Sequence, residues 1–419
     1  MQEKSKPVDN LRADAEKIIM RAIAAVLPDA TVERALKGKT FLGRVCLVAA
    51  GKAAWQMAHA ARACLQDNFC GGVVVTKYGH VKDEIANVAC FEGGHPVPDE
   101  NSLRGTDAAL ALTEDLTESG TVVFLLSGGG SALFEKPLLP LAELQDVTNQ
   151  LLAAGADIVE INTIRKRLSA VKGGRFARHC APAQVFAVVL SDILGDPLDM
   201  IASGPAYPDS SSCAQALDIA KRYGLRLSER AWALLAQETP KTLTNVETQI
   251  TGSVRELCAA AAAACEALGY EPMILTDCLC CEAREAGSML ASIARTHAHD
   301  GKNLAFLMGG ETVVHLRGNG LGGRNQEIAL SAALGIEGLS NALVFSAGSD
   351  GTDGPTDAAG GIADGETAQL MRQKGVDAVQ SLNDNDAYHA LGAVGGLLKT
   401  GATGTNVNDV TVLLLRAAE

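Results

Sequence analysis

Aromatic residues and long apolar runs are scarce in this sequence of 419 residues. Phe, Trp and Tyr together make up 4% of the chain, and no apolar run reaches the length of about 18 residues that a membrane-spanning helix requires. We therefore expect no membrane partner. The first ten residues are polar and lack the apolar core of a secretory signal, which predicts a cytoplasmic protein.

Positive charge is also in short supply. The chain carries 36 Lys and Arg against 49 Asp and Glu, which gives a formal net charge of −13. Nucleic acids bind to basic faces, so this balance argues against a nucleic-acid partner. A small anionic substrate stays compatible with it, because a local cluster of cations can dominate a cleft.

Cysteine is present but shows no regular spacing. The odd count of 11 in a long chain without a secretory signal indicates reduced thiols. Cys278 and Cys281 form a C-x-x-C with Cys280 between them, but no second Cys or His pair lies nearby to complete a zinc site. Small buried thiols at a strand end are the favoured interpretation of this patch.

Short apolar runs alternate with amphipathic helical stretches along the whole chain. The continuous apolar runs 45–50, 122–126 and 185–190 predict strands of a parallel sheet with helices on both faces. The length predicts two domains. The polar, Thr-rich stretch 238–251 is the candidate boundary, and we divide the chain into 1–240 and 241–419. The last strand, 410–415, is left free to return to the N-terminal sheet.

Two loops of the N-terminal half follow predicted strands and contain glycine. Lys52 follows Gly51 at the start of a helix, where the helix N-terminus and a cation together favour an anion. The alternative is a solvated surface lysine. The run Ser127, Gly128, Gly129, Gly130 and Ser131 can present backbone N–H groups to phosphate oxygens, although a plain tight turn explains it about as well. Its spacing is not that of a P-loop.

Basic and acidic clusters come next in the sequence. Five of the twelve residues in 164–175 are basic, and two of them, Lys172 and Arg175, flank a Gly-Gly pair that suggests a helix interruption close to a ligand. A solvated basic helix face is the alternative interpretation of this stretch. Asp192, Asp196 and Asp199 follow the strand at 185–190. Carboxylates at a strand end hold Mg²⁺ directly or through water, and they also cap helices and close turns.

The C-terminal half also has charged residues directly after predicted strands and in glycine-rich loops. Glu311 follows a predicted strand, and Arg324 lies at the end of the glycine-rich run 318–327, where its guanidinium suits a bidentate bond to phosphate or carboxylate oxygens. Asp350 is the first of three Asp residues in the run 346–360, which lacks the spacing of a calcium loop.

These motifs together resemble the class of glycerate kinases that makes 2-phosphoglycerate, in which an N-terminal domain is paired with a MOFRL domain. The matching stretches run in order from Ser127 to Asp409, and the Gly51 motif GKAA extends the match towards the N-terminus. The other stretches read SGGGSAL, KRLSAVKGGR, LSDILGDPLDMIASGP, GGETVV, GGRNQEIAL, SAGSDGTDGPTDAAG and TGATGTNVND.

The resemblance implies two α/β domains, a Rossmann-like parallel-sheet N-terminal domain and a C-terminal MOFRL α/β domain, with the active site in the cleft between them. It implies ATP, a divalent cation such as Mg²⁺, and D-glycerate. Members carry active-site residues at the positions of Lys52 and Arg324. They have also often been named hydroxypyruvate reductases. A homodimer is one assembly open to such a chain, and the sequence does not determine the oligomeric state.

Phosphoryl transfer depends mainly on positioning and charge neutralisation. We assign catalytic roles to Lys52, Arg324 and Asp192, with Asp192 orienting or deprotonating the 2-hydroxyl. Nucleotide phosphates are assigned to the cradle Ser127–Ser131, together with Lys172 and Arg175. Candidate Mg²⁺ ligands are Asp192, Glu311 and Asp350.

The main alternative is an NAD(P)H-dependent hydroxypyruvate reductase, which needs a G-x-G-x-x-G turn that the sequence lacks. A second alternative, a non-catalytic sugar-acid sensor on the same fold, would not need so many charged residues on one set of loops.

Overall fold

The computed structural model describes residues 7–65, 67–195 and 197–417. These residues divide into two compact units, each built around one six-stranded sheet. The first-sheet unit comprises the described residues within 28–192 and 197–251. The second-sheet unit comprises those within 7–27, 193–195 and 252–417.

Ten helices and six strands precede residue 252 in the described chain. The strands are β1 (Val45–Ala50), β2 (Phe69–Lys77), β3 (Val88–Gly93), β4 (Thr121–Leu126), β5 (Gln184–Val189) and β6 (Val246–Ile250). The helices are α1 (Pro7–Ala25), α2 (Pro28–Leu36), α3 (Ala54–Cys64), α4 (Glu100–Leu112), α5 (Gly130–Leu133), α6 (Leu141–Ala153), α7 (Ile158–Leu168), α8 (Arg175–Cys180), α9 (Cys213–Arg222) and α10 (Glu229–Leu235).

The remaining six helices and six strands follow. The strands are β7 (Glu271–Leu279), β8 (Leu304–Gly310), β9 (Ala342–Gly348), β10 (Gly360–Asp364), β11 (Leu397–Leu398) and β12 (Asp409–Leu415). The helices are α11 (Val254–Ala267), α12 (Ala283–His297), α13 (Arg324–Ile336), α14 (Thr367–Gln373), α15 (Ala378–Asn383) and α16 (Ala387–Ala393). Among the described helices, none combines the length and apolarity needed to cross a membrane.

The first sheet is parallel throughout and has the strand order β3-β2-β1-β4-β5-β6. This is the order of a doubly wound dinucleotide-type fold, in which the chain reverses direction across the sheet between β1 and β4. Both strands are buried along their whole length, as expected for strands covered by helices on both faces. The Rossmann-like architecture expected for the N-terminal domain is therefore present.

The second sheet is mixed, with the order β11-β10-β9-β12-β8-β7. Strand β12 lies between β8 and β9 and runs antiparallel to both. The sequence left open which sheet contains the last strand. The structure places this strand, β12, in the second sheet. Because β12 is antiparallel, its first residue lies beside the carboxyl ends of β8 and β9.

The contacts divide the chain at other positions than the predicted boundary of 240/241. Strand β6 lies beyond that boundary and pairs with β5 in the first sheet. Helix α1, at the opposite end of the chain, belongs to the second-sheet unit, where Asp14 accepts hydrogen bonds from Tyr270 and Arg416. The polar composition of 238–251 concealed β6, because this edge strand is only half-buried.

The basic stretch 164–175 does not form one continuous helix. Helix α7 ends at Leu168, and α8 begins only at Arg175. Gly173 and Gly174 between them have φ angles of 58° and 80°, in the left-handed region that favours glycine. The backbone therefore turns at the Gly-Gly pair, which places the flanking cations inside the unit.

Candidate active site

The carboxyl ends of β1 and β4 form the switch point of the first sheet, the position where ligands bind in sheets of this topology. Gly51 and Lys52 follow β1, and Ser127 and Gly128 follow β4. Gly51 has a φ of 127°, and a Cβ built on it would lie 2.2 Å from the Ser127 hydroxyl oxygen. Glycine is therefore required there, because the two loops approach more closely than any side chain would allow.

Hydrogen bonds fix the backbone on both sides of Lys52. The Lys52 N–H donates to the Gly128 carbonyl at 2.8 Å, and the Ala53 N–H donates to the Ser127 hydroxyl at 3.1 Å. On the other side, the Lys52 carbonyl oxygen lies 2.8 Å from Nδ1 of His80. The side chain itself is exposed. A rigid backbone that carries a solvent-accessible ammonium is suited to binding an anion.

Gly129 makes the bend at the centre of the cradle, with a φ of 83°. A Cβ on this residue would lie 2.9 Å from the His95 imidazole and 3.2 Å from the Lys52 side chain. Burial, followed by the positive charge of Lys52, lowers the pKa of His95. His95 is thus a candidate hydrogen-bonding group beside the lysine, and the sequence gives no signal for it beyond its proline neighbours.

Asp192 follows β5, the strand next to β4, and its carboxylate packs against Gly128. A Cβ on Gly128 would meet Oδ2 of Asp192 at 2.2 Å. Glycine at this position lets the carboxylate lie directly against the cradle backbone. The structure therefore brings Lys52, the cradle and Asp192 together. Of the other two candidates, Asp199 accepts bonds from Lys166 and Ser210, and Asp196 lies outside the described residues.

Ser131 closes the cradle, and one buried and one partly buried cation hold its carbonyl. Its hydroxyl bonds to that of Ser203 at 2.9 Å, and its carbonyl accepts from Lys172 at 2.8 Å and from Arg165 at 2.9 Å. The Lys172 ammonium also donates to the Phe134 carbonyl and lies 3.5 Å from the Glu135 carboxylate. Burial lowers the pKa of Lys172 to about 8. Lys172 therefore supports the cradle from within.

Arg175 is also turned inwards. Its Nη1 donates to three carbonyl oxygens at the end of α7, those of Lys166, Arg167 and Ser169. Burial lowers its pKa. The predicted phosphate contact of Lys172 and Arg175 competes with bonds inside the unit. The Lys172 ammonium and the Arg175 Nη1 already donate to backbone carbonyl oxygens there. The sequence could not reveal this, because a buried cation and a ligand-binding cation look the same in a motif.

The neighbouring basic residues form an interior ion network. Lys166 lies 3.1 Å from one oxygen of Asp209, and Arg167 lies 3.6 Å from the other. Asp209 also accepts from the Thr239 hydroxyl at 2.7 Å. All three charged side chains are at most 2% exposed. The solvated helix face considered for this basic stretch is therefore wrong, because the segment lies inside the unit.

In the second-sheet unit, Arg324 begins α13 directly after Gly323. Its Nε and Nη2 donate to the two oxygens of Asp409 at 2.5 and 3.1 Å, and its Nη1 donates to Glu311 at 3.0 Å. The guanidinium is held in the bidentate geometry that arginine prefers, while its side chain stays 33% exposed. Asp409 was not among the predicted residues, because it is the first residue of an otherwise apolar strand.

Asp353 caps α13. Its Oδ1 accepts from the Asn325 N–H and its Oδ2 from the Gln326 N–H, at 3.2 and 2.9 Å. Burial is the largest cause that raises its pKa to about 6, and the nearby Asp409 carboxylate adds to it. The helix start that carries Arg324 is therefore held by a buried carboxylate. Burial likewise raises the pKa of Asp409, against the effect of Arg324.

Glu311 and Asp350 lie on either side of Asp409, after β8 and β9. Glu311 accepts from Arg324 and, through its other oxygen, from the Asn408 amide at 3.2 Å. Asp350 accepts from the Thr352 N–H at 2.9 Å. Within the described part of the chain, no three Asp, Glu, His or Cys side chains are arranged to hold a metal ion by themselves.

A cavity of about 820 Å³ opens beside Arg324 in the same unit. Its wall combines the glycine-rich loop before α13 with apolar side chains, among them Val313, Leu316 and Pro355, and polar ones, among them Asn385. This volume is within the usual range for small-molecule sites, and a mostly apolar wall with a few polar groups is typical of them.

Comparison with known proteins agrees with this description. Residues 14–236 match the model of a domain of unknown function, DUF4147, and residues 304–409 match the MOFRL family. A D-glycerate 2-kinase of Thermotoga maritima is 52% identical over 413 residues, covering 97% of this chain and 99% of that protein.

A crystal structure of a Thermotoga maritima glycerate kinase superposes with a TM-score of 0.93 at 51% identity, covering 97% of this chain and all of that one. An Agrobacterium vitis protein with a provisional hydroxypyruvate reductase name is 39% identical over 95% of this chain and 93% of that protein.

Proposed function

We propose that this chain, which belongs to the glycerate kinase family with DUF4147 and MOFRL domains, transfers the γ-phosphoryl group of ATP to the 2-hydroxyl of D-glycerate, forming 2-phosphoglycerate. The observation that carries the proposal is the switch point of the first sheet. An exposed lysine, a glycine cradle and a carboxylate meet there, in a chain similar over nearly its whole length to a D-glycerate 2-kinase.

In this proposal the first-sheet unit supplies the lysine and the acceptor of the proton. The 2-hydroxyl oxygen attacks the γ-phosphorus, the bond from that phosphorus to the β,γ-bridging oxygen breaks, and ADP leaves with the bond electrons. The hydroxyl proton passes to the Asp192 carboxylate. Lys52 offsets the negative charge on the transferring group, and the N–H groups of Gly128 to Gly130 orient the phosphate oxygens.

The second-sheet unit supplies Arg324. We propose that its guanidinium neutralises phosphate charge during transfer, since charge on the transferring oxygens is the main target for catalysis of this reaction. Asp409 positions the guanidinium through two bonds. Lys172 and Arg175 then contribute indirectly, Lys172 by holding the Ser131 carbonyl and Arg175 by holding the end of α7.

A divalent cation fits this set of residues only as a partner of the nucleotide. Mg²⁺ prefers carboxylate and phosphate oxygens and keeps several waters, so it needs only one or two protein ligands. Glu311, Asp350 and Asp192 remain the proposed candidates. Asp350 has the simplest role because, among the residues that the structure describes, its carboxylate accepts from the Thr352 backbone N–H and from no cation. When bound, the ion would neutralise phosphate charge.

The reductase alternative has less support from the site. A dinucleotide-binding turn needs spaced glycines between β1 and α3, so that the backbone can approach the pyrophosphate. The loop here reads Gly51-Lys52-Ala53, and the three glycines after β4 are contiguous. A lysine side chain occupies the place where that turn would bring bare backbone to the cofactor.

Product analysis tests the proposal. Purified protein incubated with ATP, Mg²⁺ and D-glycerate should give 2-phosphoglycerate, identified by phosphorus NMR and by direct conversion with enolase. A parallel assay follows NADH absorbance with hydroxypyruvate. Exclusive 3-phosphoglycerate would contradict the proposed position of transfer, and NADH oxidation without kinase activity would favour the alternative.

A further inference from the structure

Two thiols on neighbouring strands of the first sheet lie in direct contact. Cys46 is on β1 and Cys70 on β2, and their sulfur atoms are 2.7 Å apart. Cys46 is buried, whereas Cys70 is exposed. No role in the proposed reaction involves either residue.

A β-bulge brings the two side chains together. Val45 pairs with Phe69 and Cys46 pairs with Gly71, so the register shifts by one residue and Cys70 is the extra residue. Gly71 follows it with a φ of 146°. A bulge changes the direction in which a side chain points, and here it turns Cys70 towards β1, where its sulfur lies 3.2 Å from the Val45 carbonyl.

We propose that Cys46 and Cys70 form a reversible disulfide under oxidation by a hydroperoxide. An S–S bond is about 2.05 Å long, so the sulfur atoms need to approach by less than about 1 Å. The hydroperoxide first converts the Cys70 thiol to a sulfenic acid, with release of one alcohol or water molecule. The Cys46 sulfur then attacks the Cys70 sulfur, the S–O bond breaks, and a water molecule leaves that includes the Cys46 proton.

Exposure decides the order of the two steps. Cys70 is accessible to the oxidant and Cys46 is not. Burial is the largest cause that raises the pKa of Cys46 to about 12, and the neighbouring Cys70 adds to it. Cys46 is therefore a poor first target for the peroxide, because the oxidant does not reach it and its reactive thiolate is scarce. A sulfenic acid on Cys70 is held against the Cys46 sulfur, and this proximity favours the second step despite the low thiolate fraction.

The patch Cys278, Cys280 and Cys281 provides the internal comparison. All three thiols are exposed, so the interpretation of this patch as buried thiols is wrong. These thiols are also accessible, so they compete for the oxidant. The Cys278 sulfur lies 3.5 Å from the Asp277 carboxylate, whereas the sulfur atoms of Cys46 and Cys70 are already in contact with each other. The Cys46–Cys70 bond should form at lower peroxide exposure than any bond within this patch.

Peptide mapping of the full-length protein tests the proposal. Trypsin releases Cys46 in peptide 45–52 and Cys70 in peptide 63–77, which also contains Cys64, so a Cys64→Ser background removes that ambiguity. The protein is treated with hydrogen peroxide, its free thiols are blocked with N-ethylmaleimide, and the digest is analysed by mass spectrometry. We expect a linked species of peptides 45–52 and 63–77 that dithiothreitol abolishes.

Matched variants distinguish the outcomes. Cys278→Ser should leave the linked species in place, and Cys46→Ala should instead accumulate a Cys70 sulfenic acid that dimedone traps. Cys70→Ser made with Cys64 retained should eliminate the linked species. Oxidation of the 278–281 patch without any linked species would overturn the proposal. A linked species that persists in Cys70→Ser through Cys64 would do the same. Neither readout depends on kinase activity.

Discussion

Positive charge has two different uses in this molecule. The basic stretch 164–175, which contains Lys172, differs in this respect from Lys52 and Arg324, two cations that lie outside it. Lys172 is fully buried, and its ammonium is surrounded by carbonyl oxygens and the Glu135 carboxylate. Lys52 is exposed on a fixed backbone, and Arg324 keeps a third of its side chain accessible while Asp409 holds it. A cluster of basic residues therefore also occurs in a purely structural role, whereas an accessible cation on a rigid support is available to a ligand.

The largest effect in this comparison should be on stability. Lys172→Ala leaves the buried Glu135 carboxylate with Arg165, 3.7 Å away, as its remaining cation. Breaking a buried ion pair typically costs about 3–5 kcal/mol. Urea denaturation followed by circular dichroism measures this loss. The double variant Lys172→Met with Glu135→Gln removes both charges and should recover much of it. A wild-type free energy of unfolding for Lys172→Ala would show that this cation is not a structural one.

Arg324→Ala should act on catalysis instead. Loss of one charge-stabilising donor typically lowers kcat by about 10²–10³, and we expect at least that decrease without loss of fold. Arg324→Lys should recover only part of it, because a lysine cannot reproduce the two bonds to Asp409. Steady-state kinetics with D-glycerate and ATP makes the measurement, and near-normal rates for both variants would remove the catalytic assignment.

Lys52→Ala tests the same proposal from the first-sheet unit. We expect a decrease in kcat of about 10²–10³, with a free energy of unfolding within about 0.5 kcal/mol of wild type because the side chain is exposed. Lys82→Ala, another lysine of this unit, is the matched surface control and should keep its activity. Equal kinetics for the two variants would mean that Lys52 is only a solvated lysine.

The effect of pH is the smallest per step, because it is spread over about two pH units. Asp353 has its pKa raised to about 6 by burial, so between pH 4 and 6 the folded state holds a proton that the unfolded state has lost. Its contribution to stability therefore falls as pH rises through that window, by about 3 kcal/mol in total. Asp353→Asn cannot titrate, so its free energy of unfolding should change less over the same window. Parallel curves for the two proteins would contradict the raised pKa.

Local sequence was enough to predict the loops that meet at the switch point of the first sheet. Gly51, Lys52 and the cradle Ser127–Ser131 follow apolar strands directly, and a parallel sheet brings the ends of its strands to one edge. The alternation of strands and helices likewise predicted the first sheet. These features depend on residues adjacent in the chain, which is why pattern and composition reveal them.

Long-range packing decided the rest. Arg324 and Asp409 are 85 positions apart, and only the antiparallel insertion of β12 between β8 and β9 brings them together. Long-range packing also places α1, at the N-terminal end of the chain, in the second-sheet unit. Whether a cation such as Lys172 is buried or accessible depends on how the chain folds back over it. No local pattern encodes that, because burial is a property of the whole packed unit.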